Sequence, residues 1–123
     1  MNKNNMSIAE AYYTSVGEKN IEALEKYLHA DVQFIGPFEK MMGKQAVLEA
    51  TKNFTAIIEA FKIRAKFSFD DQTMVVYNAD FPEPIGSVRG ASLMTFQKGL
   101  ITKIELFYDS HLVQQQVKDE IFS

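Results

Sequence analysis

The apolar positions of this chain follow a helical period through most of its first half and a period of two through much of its second. In SIAEAYYTSVG, Ile8, Ala11, Tyr12 and Val16 share one face, Ser7 and Glu10 stand in capping-box spacing, and Gly17 supplies a stop. That predicts a short first helix. Asn20 is placed to cap a second, IEALEKYL, whose stripe is Ile21, Leu24, Tyr27 and Leu28 and whose end falls around His29 to Asp31. VQFI then reads as a short strand closed by Gly36-Pro37, because proline cannot continue a central ladder. After a loop, FEKMMG, the recurrence of Val47, Ala50, Phe54, Ile57 and Phe61 predicts a longer helix from about Lys44 to Ala60.

From there the period is two. KIRAKFSFDD sends Ile63, Ala65, Phe67 and Phe69 one way and Lys62, Arg64, Lys66 and Ser68 the other, so one face should be buried and one wet. DDQ turns into TMVVYNADF, PEPIG breaks that strand before SVRGASLMTFQ, and KG turns into LITKIELFY. In SHLVQQQVKDEIF, Val113, Val117 and Ile121 suggest a last helix. The order predicts one α+β domain over residues 1–123, with three N-terminal helices packed on one face of a curved antiparallel sheet. In the last two strands Ser92, Met94 and Phe96 alternate with Ala91, Leu93 and Thr95, and Ile104, Leu106 and Tyr108 with Lys103, Glu105 and Phe107. Both faces carry large apolar groups, which a sheet wet on one side would not show. A homodimer with sheets back to back, burying Leu93 and Phe107, is the expectation.

Composition narrows the class. The 123 residues suffice for one core, 46% hydrophobic and 24% charged residues are ordinary for a globular chain, and no apolar run approaches a membrane span. MNKNNMSIAEAYY lacks a secretory signal pattern, so a cytoplasmic location is expected. A net charge of -3 with scattered lysines argues against nucleic acid. There is no cysteine, hence no disulfide or thiolate chemistry.

The junction NIEALEKYLHADVQFIGP, the helix GKQAVLEA and the closing KGLITKIELFYD resemble the nuclear transport factor 2 superfamily, in particular its SnoaL-like and ketosteroid-isomerase-like branch, over nearly the whole chain. The resemblance implies a cone-shaped, cystatin-like domain, a pocket between the sheet and the helices, and a homodimer. It implies a small apolar ligand, and members that range from isomerases, cyclases, dehydratases and epoxide hydrolases to binding modules without catalysis. Of the ketosteroid isomerase residues, the first-helix tyrosine falls on Tyr12, the general-base aspartate on Gly36, and the second oxyanion donor near Ser92. Two of the three positions are altered, so proton abstraction by that mechanism is not expected.

Other chemistry has to come from elsewhere in the chain. Asp109 stands where many SnoaL-like members carry an acid; desolvated in a cavity it would serve as an acid or base, with His111 as proton partner, while the alternative is that Asp109 or Ser110 caps the last helix, strict alternation placing Asp109 outside with Glu105. His29 is read against the end of the second helix. Arg89 is read either as an oxygen-binding residue or, preferably, as a cross-sheet partner of Glu105. Tyr13, Tyr77 and Tyr108 are candidates for hydroxyls in the pocket, and Phe34, Phe38, Met41, Met42 and Met94 for its lining, each with a core role as the alternative. His29, Asp31, Asp109 and His111 lack metal-ligand spacing, so neither metal nor cofactor is expected. The expected function is acid/base chemistry through Tyr12, Asp109 and His111, or binding alone.

Overall fold

The computed structural model describes residues 2–108, so the expected C-terminal helix, Asp109 and His111 lie outside the described residues. The elements are α1 (Asn2–Gly17), α2 (Ile21–Glu25), β1 (Leu28–Ile35), β2 (Lys40–Met42), α3 (Lys44–Ile57), β3 (Ala60–Phe69), β4 (Gln72–Asp80), β5 (Ser87–Gln97) and β6 (Leu100–Tyr108). They form an α+β fold in which one curved, unclosed sheet runs in the order β2-β1-β6-β5-β4-β3. The sheet is mixed, not purely antiparallel. The meander β3 to β6 starts at the far edge, so its fourth strand docks beside β1 running the same way. Helix α1 lies on β3 and β4, and α3 lies on β1 and β2, all on the inner face of the sheet. Leu24, Leu28, Val32, Val47 and Ile104 are sealed between these layers.

Several boundaries differ from the periodic reading. Helix α1 begins at Asn2, which places Ser7 and Glu10 inside it instead of at a capping box. It ends at Gly17, as expected, and beyond it Lys19 takes the left-handed conformation (φ 61°), with its N–H on Val16 O and the Asn20 N–H on Ser15 O, the bond pair of a Schellman ending. Asn20 then caps α2, its side chain accepting from the Ala23 N–H. Helix α2 ends at Glu25 and β1 starts at Leu28, because Leu28 and Ile101 pair in the ladder to β6. His29 is consequently a strand residue whose Nδ1 accepts from the Asp31 N–H at 3.0 Å, not a helix-end residue. The loop FEKMMG contains a short edge strand, β2, and Gly43, at φ 103°, turns it into α3. Helix α3 ends at Ile57, three residues early.

The largest departure is in β3. Its ladder to β4 slips between Ile63 and Ala65, a bulge that reverses which side chains face the helices. Phe61 and Ile63 pack against the core, whereas Phe67 and Phe69 emerge on the outer face, 63% and 76% exposed. Lys66 turns toward α1, where its Nζ meets Glu10 Oε1 at 2.6 Å. Without the bulge the two phenylalanines would be buried and Lys66 would be wet, as the alternation alone predicts.

Candidate functional site

Between the inner face of the sheet and helices α1 and α3 lies a cavity of about 70 Å³, partly open to solvent. Helix α1 contributes Tyr12, Tyr13 and Val16 to its wall; α3 contributes Ala50, Thr51 and Phe54. Strands β1 and β6 add Phe34, Ile104, Leu106 and Tyr108. The far wall, from β3 to β5, is Phe61, Tyr77, Ala79, Phe81 and Val88. The lining has no carboxylate, imidazole, ammonium or guanidinium group among the described residues. Eight of its fifteen residues are aromatic, and three of these rings form a stack: Tyr13 on Phe61 with centroids 5.1 Å apart, and Phe61 on Tyr77 at 4.7 Å.

The polar groups are therefore four phenols and Thr51. Tyr13 donates to Ser92 Oγ at 2.7 Å, which ties α1 to β5 and uses the phenol's only proton. Thr51 neighbours the Tyr12 hydroxyl and is itself tied to its own helix by a 2.8 Å bond to Val47 O. Tyr77 and Tyr108 have no hydrogen-bond partner among the described residues. No fully enclosed side-chain oxygen or nitrogen there lacks a partner, so the Tyr77 hydroxyl must border accessible space.

All four phenols stay protonated well beyond neutrality. Burial pushes Tyr12 up to about 12, opposed only in part by Thr51. Tyr13 is raised well above the ordinary phenol value, by burial first and then by Tyr12 and Tyr77, with the Ser92 hydrogen bond acting against them. Burial and then Tyr108 raise Tyr77, and burial raises Tyr108 to about 12. At pH 7 the described walls of the cavity are uncharged and their polar groups are neutral hydroxyls.

The residues expected at the site are thus divided. Tyr12, Phe34, Tyr77 and Tyr108 come together around the cavity. Phe38 stands beside it, edge-on to Tyr108 at 6.2 Å. Ser92 and Met94 face inward but are completely covered by the core, and Ser92 pairs with Tyr13, not Tyr12. Met42, at the end of the edge strand β2, is 63% exposed and away from the lining. Arg89 is exposed, opposite Asn78 in the ladder and out of phase with the inward residues of β5; Glu105 stands opposite Leu93 and pairs with Lys103 at 3.8 Å, so no Arg89 to Glu105 bridge forms. Phe54 and Phe61 were legible as apolar stripe positions, but nothing in the stripe separates a cavity wall from solid core. Gly36 needs no special backbone angle, and a Cβ there would meet Phe34 and Glu39 only at ordinary contact distance. No group of three His, Cys, Asp or Glu side chains placed to hold a metal ion occurs among the described residues, and none of their helices is long and apolar enough to cross a membrane.

The model of the SnoaL-like domain family matches residues 9–104. No curated protein matches the sequence. Among solved structures, a steroid delta-isomerase from Pseudomonas aeruginosa is similar with TM-score 0.81 and 16% identity, over 96% of this chain and 88% of that one. An uncharacterised protein with a cystatin-like fold from Silicibacter pomeroyi has TM-score 0.83 and 16% identity, over 94% and 83%. A de novo designed protein with a curved sheet has TM-score 0.84 and 16% identity, over 97% and 98%. At such identities the likeness is one of fold.

Proposed function

We infer, for a chain that belongs to the SnoaL-like domain family within the nuclear transport factor 2-like superfamily, that the cavity binds a small, uncharged, largely apolar organic molecule. One observation carries the reading: a lined, partly open space with many aromatic rings, a few neutral hydroxyls and no charge among its described walls. Its size limits the occupant. A void of about 150 Å³ takes one benzene ring, so the roughly 70 Å³ here encloses part of a ligand while the remainder extends through the mouth.

Thermal unfolding with a panel of hydrophobic carbonyl and epoxide compounds tests this, scored in parallel for product. A true ligand at a hundred times its Kd stabilises by about 2.7 kcal/mol. The stabilisation should vanish in Val88→Phe, which fills the cavity from a half-buried lining position. Equal stabilisation of that variant would place the ligand elsewhere.

A second, catalytic reading, with isomerase, cyclase, dehydratase or hydrolase chemistry, starts from Tyr12, which lines the cavity. Asp109 would then move a proton, with His111 as its partner, and Tyr12 would orient an oxygen. If any panel member is turned over, Asp109→Asn should reduce kcat by roughly a hundredfold or more with the melting temperature kept. Unchanged kcat leaves binding as the function of the cavity.

The outer face of the sheet supports the assembly half of the reading. The bulge in β3 adds Phe67 to a cross-strand row with Met74 and Leu93, next to the row Ala65, Val76, Ala91 and Phe107. Phe107 is 50% exposed in the single chain. A second copy laid back to back would cover these rows. Sedimentation at micromolar concentration should give a dimer, and Leu93→Glu with Phe107→Glu should weaken it at least a hundredfold by placing charge in a desolvated contact; a monomeric parent protein rejects the dimer.

A further inference from the structure

One row of the inner face is built differently from its neighbours. Tyr77 of β4, Gly90 of β5 and Tyr108 of β6 stand directly opposite one another across three adjacent strands. A Cβ at Gly90 would lie 2.6 Å from the Tyr77 hydroxyl oxygen and 2.7 Å from its Cζ, so the phenol occupies the space that any larger residue would need. The φ of Gly90 is ordinary, which removes backbone conformation as the reason for glycine. What the missing side chain does is let the Tyr77 ring lie across β5 toward β6. Tyr108, next in the row, adds to burial in holding Tyr77 protonated. On the other side, the edge contact with Phe38 backs the Tyr108 ring.

We propose that Tyr77 and Tyr108 are the specificity-determining pair of this cavity, two phenol donors converging over Gly90 on a single ligand oxygen, and that the ligand class is small planar ketones or aldehydes. The proposal rests on the reading of the cavity as a ligand site. Two donors match the two in-plane lone pairs of a carbonyl oxygen. A hydrocarbon would leave both donors unpaired beneath it, and a carboxylate would enter a space whose described walls offer no cation. Tyr13 does not compete for the role, because its proton goes to Ser92.

The test uses three nearly isosteric probes: acetophenone, α-methylstyrene, in which CH2 replaces the carbonyl oxygen, and benzoate. Dissociation constants are measured by NMR titration of the full chain. Acetophenone should bind roughly five- to tenfold more tightly than α-methylstyrene, and Tyr77→Phe and Tyr108→Phe should each weaken acetophenone by roughly three- to tenfold while leaving α-methylstyrene within about twofold. Each substitution removes only a hydroxyl, and thermal melts verify that the variants fold. Gly90→Ala in addition displaces the Tyr77 ring and should abolish the preference for acetophenone over α-methylstyrene. If the two bind equally, the phenol pair is overturned and the cavity remains a ligand site. If benzoate binds most tightly, the neutral-carbonyl class is overturned. If none of the three binds at millimolar concentration, the proposal and the cavity reading fall together.

Discussion

Replacing Ile104 with alanine is expected to cost about 2–5 kcal/mol of stability and to enlarge the cavity so that a ring molecule recovers part of the loss. Ile104 is 1% exposed and lies in the ladders opposite both Phe34 on β1 and Met94 on β5, at the centre of the sheet. It also lines the cavity. Truncation elsewhere in a core lets neighbours collapse into the gap, but here the vacated volume joins a space that already exists. The loss should therefore fall in the upper part of the range, since the cost rises with the volume left empty. Urea unfolding of the variant with and without saturating benzene checks both parts. A loss below about 1 kcal/mol, or a benzene effect as large in the parent protein, would show that Ile104 does not separate cavity from core.

How much of this was readable beforehand depended on whether a feature leaves a periodic trace. Leu24, Val47 and Ile104 repeat at the spacing of their elements, and that repetition gave the α+β layers and the inward faces of β5 and β6. A bulge leaves no such trace. Ile63, Ala65, Phe67 and Phe69 alternate without interruption, and the slip appears only when β3 is set against β4. Its consequence, two phenylalanines on the outer face and Lys66 on the helix side, brings Lys66 to Glu10 of α1, a contact 56 positions away in sequence. The site was divided in the same way. Aromatic residues marked the neighbourhood of the cavity, but that Tyr13 has no free proton follows from Ser92, which looks like an ordinary strand residue. Gly90, inside a strand, carries no periodic signal of its own. Its meaning needed the register that sets it between Tyr77 and Tyr108.

The same buried phenols set an upper limit to the pH at which the fold survives. Tyr12, Tyr13 and Tyr77 are three of five tyrosines, and burial raises each above the ordinary value of 10. A phenol whose pKa is higher in the folded than in the unfolded chain contributes stability that is complete below pH 10 and is lost as pH rises toward the folded value, about 12 for Tyr12. Each such group lowers the unfolding free energy by up to about 1.4 kcal/mol per pH unit in that interval, and three together by about 4. Against a typical total of about 5–15 kcal/mol, unfolding should occur within one to three pH units above 10. Urea midpoints should be level from pH 8 to 10 and fall steeply afterwards. Most of the rise in phenolate absorbance should coincide with the loss of circular dichroism, because ionising these rings requires exposing them. In Tyr13→Phe the slope should shrink by about a third. Full phenolate absorbance in a chain that keeps its folded spectrum would mean that these three rings ionise in place, and their burial in a neutral, poorly hydrated inner face would have to be abandoned.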